Sequence, residues 1–387
     1  MSQSLEIPVS KQGGSIVKRT GFLYDKLLDP IVIEVAIKNA SLGKRNRLAI
    51  RKVLDDLPHH ISILKDMMEN QTFKPSPYHV MMRYDHRSKK TRKIQRPIFF
   101  PDQCVHWLVV LAIQKVIMRG MYRHSCGSIP RRGIKHGVNM IKKWLKFDHK
   151  NTKYTLKMDI KKFYDNISHE LLMKTVKSKI KDKKLLSLIQ QIVDTTDSGV
   201  PIGNYTSQWF ANLFLEKLDH FIKEKLRIKY YVRYIDDLVL FGNNKKVLHK
   251  ARLAISNFLE TELKLKLKEN WQVFKTASRG VDFLGYVFYH DYTKLRARNF
   301  FALTRQCRKT KKLIARKIDI PFPIAAGLLS RAGQFKYFDS HNIRKKYFDG
   351  IKIKQLKKVV SDESKKQLSP SAYGIRNHRK QNFVTVS

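Results

Sequence analysis

YVRYIDDLVLF, residues 231–241, sets two adjacent carboxylates, Asp236 and Asp237, between two strongly apolar segments. Side chains alternate faces along a strand, so neighbouring aspartates can act on one side only where the chain reverses at a hairpin tip. Asp-rich turns are common, and the tetrapeptide by itself reads equally well as one. The flanks shift the balance. YVRY and LVLF are predicted sheet strands, and an uncompensated carboxylate pair at their junction is costly. Metal ions are the usual remedy.

A partner for this tip lies upstream. In YTLKMDIKKFYDNI, residues 154–167, an apolar strand over Tyr154–Ile160 ends at Asp159, and the Ile160 carbonyl beside it is a further candidate ligand. Two aspartate-bearing strand ends that meet in one sheet can hold two Mg²⁺ ions about 3.5–4 Å apart, with Mn²⁺ as a substitute. Such a pair stabilises both the attacking 3′-oxygen and the departing pyrophosphate of an in-line displacement. Asp159, Asp236 and Asp237 are therefore the candidate catalytic residues, and the same three with Ile160 the candidate metal ligands. Asp165 is placed on the helix side of the turn, exposed to solvent.

Charge points to the same chemistry. Across 387 residues, 78 Lys and Arg stand against 32 Asp and Glu, a net charge of +46. That much self-repulsion suits a chain whose partner is a polyanion, and each Lys or Arg that displaces a counterion from a phosphate adds affinity. An anionic membrane would want one concentrated basic amphipathic helix, whereas here the cations are spread along the whole chain. Three cysteines, Cys104, Cys126 and Cys307, cannot build a disulfide framework. The first residues are polar, and the most apolar stretch, Trp107–Ile113, is far too short to span a bilayer. A soluble cytoplasmic protein of bacterial or phage origin is expected.

The remaining pattern predicts an α+β fold with an antiparallel central sheet. Residues 1–20 read as a flexible arm and Phe22–Glu69 as two or three helices. HVMMRY and RKIQRPIFF read as a hairpin with the basic tip DHRSKKT, and Asp102 as the cap of an apolar helix over 103–121. A basic loop, Ser125–Gly137, precedes a helix reaching Lys146. Helices are predicted within His169–Ile192, over Ser207–Leu226 and over Lys245–Leu263, with strands around Trp271–Phe274 and Val281–Phe288. From Phe300 the chain is helical and basic, and past about Ser361 disorder is expected.

YIDD preceded by an aspartate-tipped strand resembles the palm of reverse transcriptases, and the resemblance runs from about Tyr78 to Tyr347. It implies a right-hand polymerase, with N-terminal helices and fingers in 21–150, a palm interleaved with them in 151–292, a helical thumb in 293–360 and a basic tail in 361–387. RPIFFP (96–101) resembles the fingers motif whose arginine, here Arg96, grips the incoming triphosphate. Tyr164, five residues after Asp159, matches the aromatic gate that selects dNTPs; a core aromatic is the plainer alternative. VDFLGYVF (281–288) resembles the primer grip, which makes Phe283, Leu284, Gly285 and Tyr286 its residues here.

GVPIGNYTSQWFANLFL (199–215) narrows the resemblance. Most reverse transcriptases carry glutamine before this glycine and Ser-Pro after it, whereas this chain has Ile202-Gly203 and Ser207-Gln208. Ile202, Gly203 and Gln208 are the implied dNTP contacts, and an isoleucine in place of the amide removes a geometric check on the nascent pair. The IGNxxSQ form is similar to the reverse transcriptases of diversity-generating retroelements, which copy a template RNA with errors opposite adenine. KENWQVFKTASRGVDFLGY (268–286) and LLSRAGQFKYFDSHN (328–342) resemble the same family. The implied partners are template RNA, the RNA/cDNA duplex, dNTPs and a small basic accessory protein. The alternatives are a phage-defence (antiviral) or retron enzyme and, remotely, a non-catalytic RNA-binding protein. No nuclease domain is expected after the thumb.

Three weaker signals carry less. Cys104-x-His106 and His124-x-Cys126 fit no common zinc spacing, and buried thiols with surface imidazoles are expected instead. The loop SCGSIPRRGIKHG lacks a Walker Lys-Ser/Thr and suits backbone contact to phosphates. The runs Arg308–Arg316 and Arg344–Lys358, with Tyr337, Phe338 and Tyr347 among them, suggest a surface that tracks a duplex.

Overall fold

The computed structural model describes residues 19–85 and 90–368. Residues 1–18 of the predicted arm, residues 86–89 of the predicted hairpin tip and the tail beyond Leu368 lie outside the described residues. Thr20, at the described end, bridges to the backbone of Lys179 and Lys181.

The strands are β1 His79–Asp85, β2 Lys90–Arg96, β3 Ser125–Cys126, β4 Tyr154–Asp159, β5 Tyr230–Tyr234, β6 Asp237–Gly242, β7 Gln272–Lys275, β8 Val281–Phe283, β9 Tyr286–Phe288 and β10 Thr293–Leu295. β1 and β2 form a separate antiparallel hairpin, and β8, β9 and β10 an antiparallel meander. The five-stranded sheet has the order β3-β5-β6-β4-β7, antiparallel except where β3 joins β5. With helices throughout, this is the predicted α+β class.

The chain divides into two compact units, neither contiguous in sequence. One comprises residues up to 40, 56–121 and 164–214; the other comprises 41–55, 122–163 and 215 onward. In the first, the helix Cys104–Gly120 buries Val105, Leu108, Val109, Ala112, Ile113 and Val116, the nearly all-round apolar surface its sequence carries. Asp102 does not cap it. Phe100 is extended, with φ −122° and ψ 128°, and kinks the turn ahead of the helix; the cap position falls on Gln103, and the buried Asp102 accepts instead from the Ser76 amide at 2.8 Å. β2 also stops at Arg96 rather than running through PIFF, because Pro97 has no N–H to give the ladder. Asp182 caps the helix Lys183–Val193, and its second oxygen takes the amides of Leu23 and Tyr24, both at 2.8 Å.

In the second unit, Tyr231, Val232, Leu238, Val239 and Leu240 are fully buried at the centre of the sheet. The helix Lys245–Glu262 packs on β4, β6 and β7. The single helix predicted over Ser207–Leu226 is Tyr205–Phe214 followed by Glu216–His220 and a wider turn over Phe221–Lys225, because Leu215 leaves helical geometry at ψ 2°. Beyond the sheet, the helices Ala297–Ala315, Phe322–Ala332 and Ile353–Leu368 share an apolar cluster with β8 and β9. The last of these runs past Ser361, where disorder was predicted, and Leu356 anchors it in the core. Phe338 belongs to the same cluster, and Tyr337 and Tyr347 pack against it, so these aromatics are core rather than an exposed stacking surface. Among the described residues no helix is long and apolar enough to cross a membrane.

Candidate active site

Tyr234 and Asp237 are the last paired residues of β5 and β6, which leaves Ile235 and Asp236 as a two-residue loop. On the other side of β6, Asp237 lies directly opposite Asp159 of β4. The register thus brings the three predicted aspartates to one end of one sheet. Ile160, fully buried, donates its N–H to the Asp236 carbonyl at 3.1 Å. Its bridge to Leu267 runs through the Asp159 carbonyl and the Lys161 amide, which leaves the Ile160 carbonyl out of the ladder.

The loop is strained. Ile235 has φ +56°, a left-handed backbone that suits glycine and costs a β-branched residue about 1–3 kcal/mol. Its amide donates to the Cys126 carbonyl at 3.2 Å, and Arg233 Nη1 donates to its carbonyl at 2.9 Å. Gly127 makes room for it: a Cβ there would sit 2.9 Å from Ile235 Cγ1. Sequence reading missed Arg233, taking YVRY as an apolar flank. The signal was there, an arginine within a strand predicted to be buried.

Cations meet the carboxylates. Lys268 pairs with Asp159, and Lys157 Nζ lies 3.8 Å from Asp237 Oδ2 while donating to the Asp282 carbonyl at 2.5 Å. Asp237 Oδ1 is buried with no hydrogen-bond partner among the described residues. Burial pushes the Asp237 carboxyl up to about 7; Lys157 opposes the shift, and the charges of Asp159 and Asp236 add to it. As placed, no three ligating side chains among the described residues converge on one point. The donor set nevertheless fits a hard divalent cation: carboxylate oxygens from adjacent strand ends, one of them buried and unpartnered. An ion held there would take the places that Lys268 and Lys157 occupy beside Asp159 and Asp237.

The predicted dNTP contacts fall in the first unit. Arg96, opposite His79 at the end of β2, is exposed. A Cβ on Gly203 would stand 1.7 Å from the Gln95 carbonyl oxygen, so the Ile202–Gly203 turn meets the end of β2 backbone to backbone. Ile202 itself is 40% exposed. Tyr164 is half-buried in a short turn, its carbonyl accepting from the Val200 amide at 2.9 Å; the core aromatic here is Phe163. Gln208 is half-buried in the helix Tyr205–Phe214. Asn204, beside the turn, donates to the Tyr78 hydroxyl at 2.7 Å. The predicted residues therefore form two groups, one in each unit.

In the predicted primer grip, Leu284 and Gly285 make the β8–β9 turn with φ of 54° and 92°. Phe283 and Tyr286 point into the apolar cluster, so only the Leu284–Gly285 tip remains of the expected contact surface. The cysteines Cys104 and Cys126 are buried thiols in different units. Their histidines are not on the surface: His106 is buried against Thr206 and held down at about 3 by burial, and His124 stacks on His136 and is held at about 4. The basic loop begins inside the sheet, with Ser125 and Cys126 forming β3.

The family described as Reverse transcriptase (RNA-dependent DNA polymerase) matches residues 88–288, just over half of the 387-residue chain. The Group II intron-encoded protein LtrA of Lactococcus lactis subsp. cremoris is 22% identical over 379 residues, covering 78% of this chain and 61% of its own length. Retron Ec73 reverse transcriptase of Escherichia coli is 29% identical over 202 residues, 47% of this chain and 60% of that protein. The chain thus spans less than two thirds of either relative. A telomerase structure from Candida Tropicalis, in complex with a telomeric RNA fragment, aligns at TM-score 0.47 and 14% identity over 81% of this chain and 66% of that one. The family match falls on the strands that carry all three aspartates, and the chain belongs to the reverse transcriptases.

Proposed function

We propose that this chain copies an RNA template into DNA by two-metal nucleotidyl transfer at Asp159, Asp236 and Asp237. The observation that carries the proposal is the register that sets Asp159 opposite Asp237, next to the loop holding Asp236. Mg²⁺ ions, when bound, supply charge stabilisation and alignment for the attacking and leaving oxygens. Asp159 and Asp236 hold them and Asp237 supports the pair, with the Ile160 carbonyl as a further ligand. Lys157 and Lys268 balance the carboxylates before the ions arrive. Arg96 binds the triphosphate, Tyr164 lies under the sugar, and Ile202, Gly203 and Gln208 border the nascent pair. In this assignment fingers, palm and thumb fall in 21–150, 151–292 and 293–360, around template RNA and the RNA/cDNA duplex.

The finer reading is an error-prone enzyme of a diversity-generating retroelement, working with a small basic accessory protein. Its support is the IGNxxSQ segment, with an exposed apolar Ile202 where an amide would test pair geometry. A retron-type or defence enzyme is the second reading, favoured by the 29% identity to a retron reverse transcriptase. Primer extension on a defined RNA template with dNTPs and Mg²⁺, every product sequenced, tests both. DNA with errors concentrated opposite template adenines supports the full proposal. Accurate DNA keeps the polymerase and moves the assignment to the second reading. Extension on DNA templates only overturns the RNA-directed activity.

A further inference from the structure

We infer that Arg233 is a positioning residue for nucleotidyl transfer, fixing the Ile235–Asp236 loop from beneath; this rests on the proposed role of Asp236. Arg233 is 0% exposed, one residue from the end of β5. Its guanidinium spans three elements. Nε and Nη2 donate to the two oxygens of Asp219 at 2.9 and 2.6 Å, and Nη2 also donates to Ser125 Oγ at 2.8 Å. Nη1 reaches the Ile235 carbonyl at 2.9 Å. Tyr231 donates its hydroxyl to Asp219 at 2.8 Å, which fixes the carboxylate that holds the fork.

A buried ion pair alone is weak evidence for anything, since apolar residues of similar volume often serve stability as well or better. The fourth bond is what separates this network from an ordinary pair. Only a rigid planar fork can satisfy Asp219 with one side and reach a loop carbonyl with the other. That carbonyl belongs to the strained residue, with φ +56°, next to Asp236. The loop backbone is thus held at three successive points: Ile235 N–H on Cys126, Ile235 C=O on Arg233, and Asp236 C=O on Ile160 N–H. Releasing the middle point lets the peptide between Ile235 and Asp236 rotate. The carboxylate of Asp236 swings with it.

The test compares Arg233→Lys with the double variant Arg233→Met/Asp219→Asn. Lysine keeps a charge for Asp219 but cannot reach both sides. The double variant removes both charges and leaves an amide oxygen for the Tyr231 hydroxyl. Primer extension is read as kcat and KM on protein of matched folded fraction, and Mn²⁺ binding to the template–primer complex is followed by electron paramagnetic resonance. The expected result is a kcat about 100-fold lower in both variants with KM nearly unchanged, the penalty of a small misplacement of a reacting group. Mn²⁺ binding weakens about tenfold, and the double variant melts like the parent without regaining activity. A double variant that melts like the parent and extends at the parental rate overturns the inference, whether or not the lysine variant folds. Equal extension by the parent and Asp236→Ala would instead remove the reading on which the inference rests.

Discussion

Asp159 and Asp237 are register partners across β4 and β6, and each meets its own lysine: Lys268 on Asp159, and Lys157 at 3.8 Å from Asp237. Two carboxylates on neighbouring strand ends would repel each other; the lysines let the sheet close with both in place. The same lysines oppose any other cation that would take those oxygens. In the proposed reading a metal ion would have to displace both lysines, and the ion dependence follows from that competition.

Lys268→Ala should lower the Mg²⁺ concentration for half-maximal extension by up to about fivefold. The Lys268–Asp159 pair is partly exposed, and such pairs are worth up to about 1 kcal/mol. A Mg²⁺ titration of the extension rate checks it. An unchanged or raised requirement would mean that Lys268 does not compete with the ion.

Asp237 makes its own contribution to the pH dependence of the fold. Burial raises its folded pKa to about 7, from an ordinary 3.8. The folded state therefore binds more protons than the unfolded chain between these values, and the stability held below about 4 is lost as pH rises through about 7. Asp237→Asn removes that dependence. Its melting temperature should match the parent's near pH 4 and exceed it at pH 8, measured in a chelator; equal melting at both pH values would contradict the burial argument.

Gly203→Ala should fail at the Gln95 backbone. The added carbon would lie 1.7 Å from the Gln95 carbonyl oxygen, and backbone cannot yield as a flexible side chain does. A loss of about 1–3 kcal/mol in unfolding free energy is expected, as for other overpacked sites. A raised KM for dNTP should accompany it, because the end of β2 carries Arg96. Denaturant unfolding with steady-state kinetics reads both; wild-type values would mean the two turns separate freely.

Ile202→Gln should reduce misincorporation opposite template adenine by about tenfold, the scale of one hydrogen bond to a reacting pair. Sequencing of extension products decides it. An unchanged error spectrum would detach fidelity from this side chain.

Much of this site was legible in the sequence because the decisive features are local. Strand alternation around 154–160 and 231–241 puts Asp159, Asp236 and Asp237 at strand ends, which can meet in one sheet, and the register brings them together. What stayed hidden depends on long-range partners. Lys268 is 109 residues from the aspartate it pairs with, and nothing in its own neighbourhood distinguishes it from the other surface lysines. Asp102 stood at a plausible cap position, yet its partner, Ser76, lies 26 residues back. The basic C-terminal segments misled in a different way. Their cations suggested an exposed nucleic-acid surface, but Tyr337, Phe338 and Tyr347 recur at positions that face the core. Charge density describes a helix's solvent side and says little about where its aromatics go.

The account's central claim is tested most directly by single-turnover incorporation of one dNTP onto a primer annealed to RNA, comparing the parent with Asp159→Ala and Asp236→Ala at matched folded fraction. The predicted result is a rate about 10⁴-fold or more lower in each variant, with template–primer affinity unchanged, because the lost groups act on the transferring phosphoryl and not on the duplex. Incorporation at the parental rate in either variant would contradict the assignment of this sheet end as the catalytic centre.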